Sequence, residues 1–493
     1  MKSSSSNSGF SAGESSLFSR LARDVRFWIV LAFLIRLIGI TEAPLEMGHN
    51  WRQALTAMIA RNFLQIEAQI LYPRIDMAGE GSGIIGAEFP LFNYLIYLFA
   101  EAFGYSHWYG RLINLAVSSF GVYSFYALLR SHFSRQIAMR AALLLLCSIW
   151  FSFSRKIMPD TFSVALVIMG LHAAQLYLER GRFLHLILCC SALAGGMLSK
   201  IPAAALLAVF VLLPFARQWP ADRRLWLLGA VGLAAASAVL WYFHWVPELI
   251  ARHGYRLYFP KGLAEGWREI LPLFDLYAKK FYFSGLNSYL AFGAAVAGAF
   301  WAIRKRHKAI LAALLLVSLV FIAFTAKTGA VFATHNYYII PFVPVLALLA
   351  ALGLEWLSPK VAWALLGLIA IESTLNQWHD FFPREDQMHK LRLEGLMDEF
   401  VEPEALIVIN GGPSPQEIYF ANRRGWTLDV EDMDENRLDS LCTHGARYLI
   451  INRHRGEAAG GQHTLLSEDV DYRIYRMCDR SGIFGRLGFV LLE

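Results

Sequence analysis

Long apolar runs recur through the first 375 residues of this 493-residue chain and then stop. Hydrophobic side chains make up 56% of all residues and charged ones only 17%, whereas soluble proteins carry about 25% charged residues. An apolar run of roughly 20 residues can cross a bilayer as a helix, which bonds its own backbone polar groups. The sequence therefore predicts a polytopic, mainly α-helical membrane region, followed by a soluble region over 376–493.

The apolar runs predict about eleven membrane spans, and several of them are shorter than the usual length. They cover residues 26–41, 110–130, 139–154, 161–178, 183–199, 201–217, 224–246, 286–303, 308–325, 337–356 and 361–375. Residues 1–25 precede the first span and are rich in Ser near their start. They are predicted to be a disordered cytosolic tail.

Basic residues cluster in every second connection between the predicted spans. These connections contain Arg130, Arg135, Arg140, Arg180, Arg182, Arg217, Arg223, Arg224, Arg304, Lys305, Arg306 and Lys308. Short cytosolic loops carry the excess of Lys and Arg, so these connections are predicted to be cytosolic and residues 376–493 to lie outside. The basic residues of these connections then account for most of the net charge of +6. This charge therefore gives no reason to expect a nucleic-acid partner.

The apolar segment 90–104 is the main difficulty for this topology. As a further span it would reverse every later loop and place the Arg-rich connections outside. We therefore predict a helix at the outer interface, within one long outer loop over 42–109. A second long outer loop, over 247–285, is predicted to contain two helical halves.

Polar residues that are unusual for a membrane protein fall on the outer side in this topology. They are Glu46, His49, Arg52, Gln53, Glu88, Arg155, Lys156, Asp160, Lys200, Lys327 and His335. Charged groups near the hydrocarbon region are costly and commonly mark functional sites. Arg52 or Arg155 alone could equally be an anchor at the lipid headgroups, so the grouping is what predicts a site.

The carboxylates differ in their local setting. Pro90 and Pro159 place Glu88 and Asp160 close to helix N-termini, where the helix dipole favours the ionised form. Such carboxylates suit sugar hydroxyls or, together with His49, a divalent metal ion. Glu46 lies outside any helix start and is the preferred candidate for a proton-accepting base.

These residues resemble blocks of the GT-C membrane glycosyltransferases of the protein-mannosyltransferase and aminoarabinose-transferase type. The blocks are Glu46 with 49–53, then 56–63, 88–91, 111–112, 158–160, 198–200 and 335–338, in the family's order. The resemblance implies a GT-C helical bundle and a polyprenyl-phosphate sugar as donor. It also implies an acceptor outside the cytosol, which could be a glycolipid, a glycan or a protein.

The resemblance further implies roles for the candidate residues in an inverting displacement. Glu46 and Asp160 are the predicted catalytic residues, and Glu46 would take the acceptor proton. The predicted ligands of the donor phosphate are Arg52, Arg155, Lys156, Lys200, Lys327, His335 and Tyr338. The predicted acceptor or sugar ligands are His49, Gln53 and Glu88.

Residues 376–493 read as a small α/β domain on the outer side. Strands are predicted over 405–410, 447–452 and 472–477, with helices near 415–422 and 434–442. Cys442 and Cys478 would then face an oxidising compartment, where they could form a disulfide. The distribution of basic residues is compatible with a bacterial inner membrane, with the site and this domain in the periplasm. An endoplasmic-reticulum membrane is compatible with the same distribution.

Three functional classes are compatible with these features. A glycosyltransferase explains the acids and cations on one outer face. A transporter of lipid-linked sugars would need polar residues at the bilayer midplane and commonly a repeat between halves, and neither is evident. A non-catalytic membrane scaffold would not need Glu46, Asp160 and the outer cations together.

Overall fold

The computed structural model describes residues 21–257, 260–306, 308–456 and 463–478. Residues 1–20 of the predicted cytosolic tail lie outside these ranges. The α-helices are α1 Val25–Arg36, α2 Asn50–Gln65, α3 Leu91–Phe103, α4 Trp108–Arg130, α5 Arg135–Cys147, α6 Trp150–Phe153, α7 Pro159–Arg180, α8 Phe183–Ser199, α9 Ala221–Leu240, α10 Val246–His253, α11 Leu263–Ile270, α12 Phe274–Lys279, α13 Tyr289–Arg304, α14 Lys308–Thr328, α15 Ala330–Thr334, α16 Val343–Gly353, α17 Pro359–Gln377, α18 Leu393–Phe400, α19 Gln416–Ala421 and α20 Glu435–Thr443. The strands are β1 Ile85–Gly86, β2 Tyr255–Arg256, β3 Leu406–Ile409, β4 Gly425–Thr427, β5 Ala446–Asn452, β6 Thr464–Glu468 and β7 Tyr472–Arg476.

Five helical segments in the described ranges are long and apolar enough to cross a membrane. They are Trp108–Arg130, Pro159–Arg180, Ala221–His253, Lys308–Thr328 and Asn336–Trp356. A sixth results if Leu263–Ser284 and Tyr289–Arg304, which meet at 88°, are counted as one span. Other predicted spans coincide with shorter helices, such as α1 with 12 residues and α5 with 13. The protein is a polytopic membrane protein, and the number of eleven spans stays a prediction.

Small residues let the helices of the bundle approach one another closely. A Cβ atom added to Gly298 of α13 would lie 1.7 Å from the Leu349 carbonyl oxygen of α16. One added to Gly353 of α16 would lie 1.9 Å from the Ala294 carbonyl oxygen of α13. Association of helices in membranes depends on such close packing, because lipid tails are as apolar as the side chains they would replace. Larger residues at these two positions would force α13 and α16 apart.

The outer loops carry short elements of their own. The predicted interfacial segment forms α3. In the predicted loop 247–285 the chain forms α10, which continues the candidate span Ala221–His253, and then α11 and α12. Strand β1 of the first loop pairs in parallel with β2 of the second, with Ile85 opposite Tyr255. The two predicted outer loops are therefore joined by this pair of strands.

The last part of the chain forms the predicted α/β domain. Its sheet has the order β4-β3-β5-β7-β6, in which β4, β3 and β5 are parallel and β7 is antiparallel to both β5 and β6. The three predicted strands and two predicted helices are present with end points that differ by at most one residue. Strands β4 and β6 were not predicted, and β4 has only three residues.

The α/β domain packs on the first outer loop. The Tyr105 and Tyr419 hydroxyl oxygens lie 2.6 Å apart, and the Arg61 guanidinium lies 4.5 Å from the centre of the Tyr419 ring. The Gly425 backbone N–H donates to the Asp76 carbonyl over 2.9 Å. The domain therefore braces the loop that carries the predicted site.

Cys442 and Cys478 form a disulfide across 36 residues of the α/β domain. A crosslink of this kind restricts the unfolded chain, with a typical stabilisation of about 2–4 kcal/mol. We expect reduction of the full-length protein to lower the thermal stability of this domain and to make it more sensitive to protease, while the helical bundle is unaffected. Limited proteolysis with and without reductant measures this, and Cys442→Ser serves as the matched variant. Equal protease resistance in both states would contradict the prediction.

Candidate active site

A cavity of about 520 Å³ opens between the outer loops and the helical bundle. This volume lies in the range of ligand-binding sites. One part of its wall is apolar and includes Val320, Ala323 and Phe324 of α14, together with Ile201 and Pro202. The other part is polar and aromatic and includes Trp51, Arg52, Glu88, Lys200, Lys327, His335, Tyr337 and Tyr338. The cavity thus combines an apolar wall with a cationic end.

Arg52 and Glu88 form the centre of the polar end. Arg52 lies in the first turn of α2, and its guanidinium forms an ion pair with the Glu88 carboxylate. The Lys200 Nζ atom lies 3.3 Å from the same Glu88 oxygen, Oε1. Arg52, Lys200 and Lys327 carry three positive charges against the one carboxylate of Glu88 on this wall. The cavity end can therefore attract an anion.

Asp160 supports Lys200 from behind this wall. It lies in the first turn of α7, after Pro159 at the start of the helix, as the sequence predicted. Its Oδ1 atom lies 3.8 Å from the Lys200 Nζ atom, and its buried Oδ2 atom has no hydrogen-bond partner in the described residues. Asp160 is 4% exposed and is not among the residues that line the cavity. It therefore positions Lys200 rather than contacting a ligand from this wall.

Aromatic rings and His335 line a further part of the cavity. The His335 ring lies between α15 and the segment Asn336–Phe342, which continues into α16. The Lys200 Nζ atom lies 5.4 Å from the Tyr337 ring centre and 5.6 Å from that of Tyr338. Tyr337 is 3% exposed and also lines the cavity.

Glu46 is enclosed by partners away from the cavity wall. Its Oε2 atom accepts a hydrogen bond from Arg111 over 2.8 Å, and its Oε1 atom accepts one from Gln53 over 2.8 Å. The Lys156 Nζ atom lies 3.8 Å away, and Glu46 is 2% exposed. Burial acts to raise the pKa of Glu46, but the two cations and the amide lower it below its usual value. A carboxylate in this setting holds the loop in place and accepts a proton poorly.

Arg155 and Lys156 also turn away from the cavity. The Arg155 guanidinium donates to the carbonyls of Arg36 and Ile38 over 3.1 and 2.5 Å and lies 4.2 Å from the Phe381 ring centre. The Lys156 Nζ atom donates to the Gly48 carbonyl over 2.8 Å. Both side chains are buried and neither lines the cavity, so they are not placed to act as the phosphate ligands that the sequence predicted. Arg155 links the chain between α6 and α7 to the end of α1, and Lys156 links it to the first outer loop.

His49 and Gln53 take different places at the start of α2. His49 adopts a left-handed conformation, with φ of 57°, and its carbonyl accepts the first helical N–H groups, from Arg52 and Gln53. Its ring stacks on that of His335 with 5.4 Å between the centres. Gln53 is fully buried and joins Glu46 to the backbone N–H of Ile157. His49 therefore lies next to the cavity, whereas Gln53 has a structural role.

Sequence reasoning missed two partners that fix this arrangement. Arg111 was noted only as part of a motif block, yet it supplies the ion pair to Glu46. Asp380, which follows α17, accepts from the Gly48 N–H over 2.9 Å and lies 3.5 Å from the Lys156 Nζ atom. An Arg within an apolar run was the available signal for Arg111. No local pattern marks Asp380.

The residues that the sequence offered for a divalent ion do not fit one. Glu88 and Asp160 both face Lys200, whose positive charge takes the place that a cation would need. The described residues contain no group of three or more His, Cys, Asp or Glu side chains placed to hold a metal. No step of the reaction is therefore assigned to a metal.

Known proteins resemble this chain in fold and in one stretch of sequence. The family model described as dolichyl-phosphate-mannose-protein mannosyltransferase matches residues 87–242. No curated protein sequence matches the chain. The apo structure of ArnT from Cupriavidus metallidurans is 13% identical, with a TM-score of 0.62, over 91% of this chain and 97% of that one.

Two further structures extend this likeness. ArnT from the same organism bound to undecaprenyl phosphate gives a TM-score of 0.58 at 13% identity, over 92% of this chain and 98% of that one. The apo oligosaccharyltransferase of Archaeoglobus fulgidus gives 0.53 at 14% identity, over 86% and 69%. At these identities the likeness is one of fold, and it extends over most of the chain. In residues 87–242 the chain is therefore similar in sequence to the protein-mannosyltransferase family, and over most of its length it is similar in fold to these glycosyltransferase structures.

Proposed function

We propose that this protein transfers a sugar from a polyprenyl-phosphate donor to an acceptor outside the cytosol, with inversion at the anomeric carbon. The observation that carries the proposal is the two-part wall of the cavity. The α14 residues Val320, Ala323 and Phe324 offer an apolar surface to a lipid tail. The cationic end then meets the phosphate at the head of that tail. Binding of undecaprenyl phosphate by ArnT, which shares this fold, supports the same choice of donor.

The proposed phosphate ligands are four of the five predicted ligands that line the cavity, namely Arg52, Lys200, Lys327 and Tyr338, whereas His335 is the fifth lining residue and is not assigned to the phosphate. Arg52 presents a planar fork of N–H donors, which suits phosphate oxygens. Lys200 and Lys327 add positive charge, and the Tyr338 hydroxyl can donate a hydrogen bond. When the bond from the anomeric carbon to the phosphate oxygen breaks, negative charge grows on the phosphate. Donors that are already in place stabilise that charge without further reorganisation.

Glu88 and Asp160 complete the proposed site in different ways. Glu88 lines the cavity and can accept hydrogen bonds from sugar or acceptor hydroxyls beside Arg52. Asp160 holds Lys200 and thereby positions a phosphate ligand. The catalytic role predicted for Asp160 is accordingly replaced by a positioning role. Its replacement by Asn should weaken donor binding through Lys200 while it leaves the acceptor side unchanged.

We further propose that the cavity and the α/β domain face the periplasm of a bacterial inner membrane. The charge pattern of the connections supports this orientation. The disulfide between Cys442 and Cys478 supports it independently, since disulfides persist in oxidising compartments. Labelling of single cysteines placed in the α/β domain of intact cells tests the orientation. Protection from a membrane-impermeant reagent would overturn it.

The proposed activity is tested with the purified full-length protein in lipid nanodiscs. A panel of labelled polyprenyl-phosphate sugars is offered with extracted envelope glycolipids, glycans and proteins. We expect transfer of label from at least one lipid-linked donor, and release of free polyprenyl phosphate in equal amount. Movement of intact donor across a bilayer without release of polyprenyl phosphate would replace the enzyme by the transporter alternative. Donor binding with neither transfer nor movement would favour the scaffold.

A further inference from the structure

His335 is the imidazole that lines the proposed donor cavity. Its Nδ1 atom lies 3.1 Å from the Val331 carbonyl oxygen and 2.9 Å from the Thr334 hydroxyl. A carbonyl oxygen can only accept a hydrogen bond, so Nδ1 carries the proton. In the neutral ring the lone pair is then on Nε2, which makes no hydrogen bond within the described residues. The backbone thus fixes the tautomer and leaves a proton acceptor free.

Neighbouring rings hold His335 in place. Its ring stacks on His49, and the ring centre of Trp51 lies 5.9 Å away in an edge-on arrangement. The Tyr337 and Tyr338 ring centres lie 5.6 and 6.3 Å away. Four aromatic neighbours, with the bond from Nδ1, leave the imidazole little freedom to turn. A base must be held in this way to meet its proton in the correct geometry.

The charges around His335 favour its neutral form before donor binds. Burial lowers its pKa, the backbone bond to Val331 acts in the opposite direction, and three nearby cations lower it further. These cations are Lys280, Lys200 and Arg52, and the facing groups also include His49, Tyr337 and Tyr338. A bound phosphate would offset the cations and raise the pKa of His335 towards neutral pH. The imidazole would then become a stronger base when donor is present.

The carboxylates near the cavity are already held by cations. Glu46 is held by Arg111, and Glu88 is paired with both Arg52 and Lys200. Asp160 also faces Lys200. Protonation of any of these would leave a buried cation without its partner, which is costly. The Nε2 atom of His335 has a free lone pair, and the His335 ring forms no ion pair within the described residues.

We propose that His335 is the general base of the sugar transfer, an inference that rests on the proposed function. The acceptor O–H or N–H gives its proton to Nε2 of His335, and the acceptor lone pair forms a bond to the anomeric carbon. The bond between that carbon and the phosphate oxygen breaks, and its electron pair stays on the departing polyprenyl phosphate. The imidazolium and the more negative phosphate appear together, so charge is balanced. The proton then passes from His335 to water.

The test compares donor binding with transfer for full-length protein in nanodiscs. His335→Asn keeps a side-chain N–H for the Val331 carbonyl but has no atom in place of Nε2. We expect transfer to fall about 10²- to 10⁴-fold, while the Kd for polyprenyl phosphate changes less than about threefold. His107→Asn is the matched control, since His107 is a partly buried outer-loop histidine that contacts Tyr419 and Phe420 away from the cavity. It should transfer at the wild-type rate.

Chemical rescue separates a base from a structural ring. His335→Ala leaves space beside the cavity, and added imidazole should restore transfer by at least tenfold, with a pH profile that follows the pKa of free imidazole. Transfer by His335→Asn within tenfold of wild type would overturn the base. Loss of polyprenyl phosphate binding in proportion to transfer would also overturn it, because His335 would then be a phosphate ligand, as the sequence predicted. Wild-type protein that binds every donor but transfers none would instead overturn the proposed function.

Discussion

Replacement of Arg52 with Gln should reduce sugar transfer about 10²- to 10³-fold, which is the usual loss when one preorganised donor to developing negative charge is removed. The same change should weaken binding of polyprenyl phosphate by at least about tenfold, because a neutral amide replaces the guanidinium on the cavity wall. Glu88 would keep Lys200 as its remaining partner, so the fold should persist. Equilibrium competition against a labelled polyprenyl phosphate measures the binding, and release of polyprenyl phosphate measures the transfer.

Two further variants make the Arg52 experiment specific. Arg52→Lys keeps the charge but loses the planar fork, so its effect on transfer should be intermediate. Arg61→Gln removes the same side chain from the same helix, but Arg61 pairs with Asp76 and lies over Tyr419, beyond the cavity. It should lower thermal stability and leave phosphate affinity unchanged. Unaltered binding in Arg52→Gln would exclude Arg52 from the phosphate site.

Replacement of Glu46 with Ala should destabilise the protein strongly. Arg111 would stay buried, at 1% exposure, without the carboxylate that now accepts its hydrogen bond. Loss of one partner of a buried ion pair typically costs about 3–5 kcal/mol, because the other charge is left uncompensated. Thermal unfolding of the purified protein in detergent should therefore show a clear fall in Tm. Glu46→Gln keeps hydrogen-bonding groups at the position and should have the smaller effect.

The Glu46 variants also separate the two roles considered for this residue. Glu42 lies four residues earlier and is exposed, so Glu42→Ala should leave Tm unchanged and serves as the control. A structural role predicts that transfer by Glu46→Gln falls only as far as the folded fraction falls. Normal thermal stability combined with a complete loss of transfer in Glu46→Gln would instead identify Glu46 as the general base. It would also remove that role from His335.

Local sequence patterns predicted the elements of this protein well. The apolar run that became α4 matches its predicted span within two residues at each end, and β5 within one. Both signals are local, because the periodicity of apolar residues records which face of a helix or strand is buried. The grouping of Arg52, Glu88 and Lys200 at one end of the bundle was also predicted. It follows from topology, since basic connections fix which loops share a side of the membrane.

Only the tertiary structure decided which of the polar outer residues face the cavity. Glu46 and Arg52 are six residues apart in one loop, yet Arg52 lines the cavity and Glu46 lies behind it against Arg111. The position of Glu46 depends on Arg111, which is 65 residues away in the sequence. The position of Gly48 depends on Asp380, which is 332 residues away. The sequence by itself determined the membrane helices and the α/β domain, because these follow from local burial patterns. The tertiary structure decided the ion-pair partners, the cavity wall and the tautomer of His335, because each depends on how distant segments pack together.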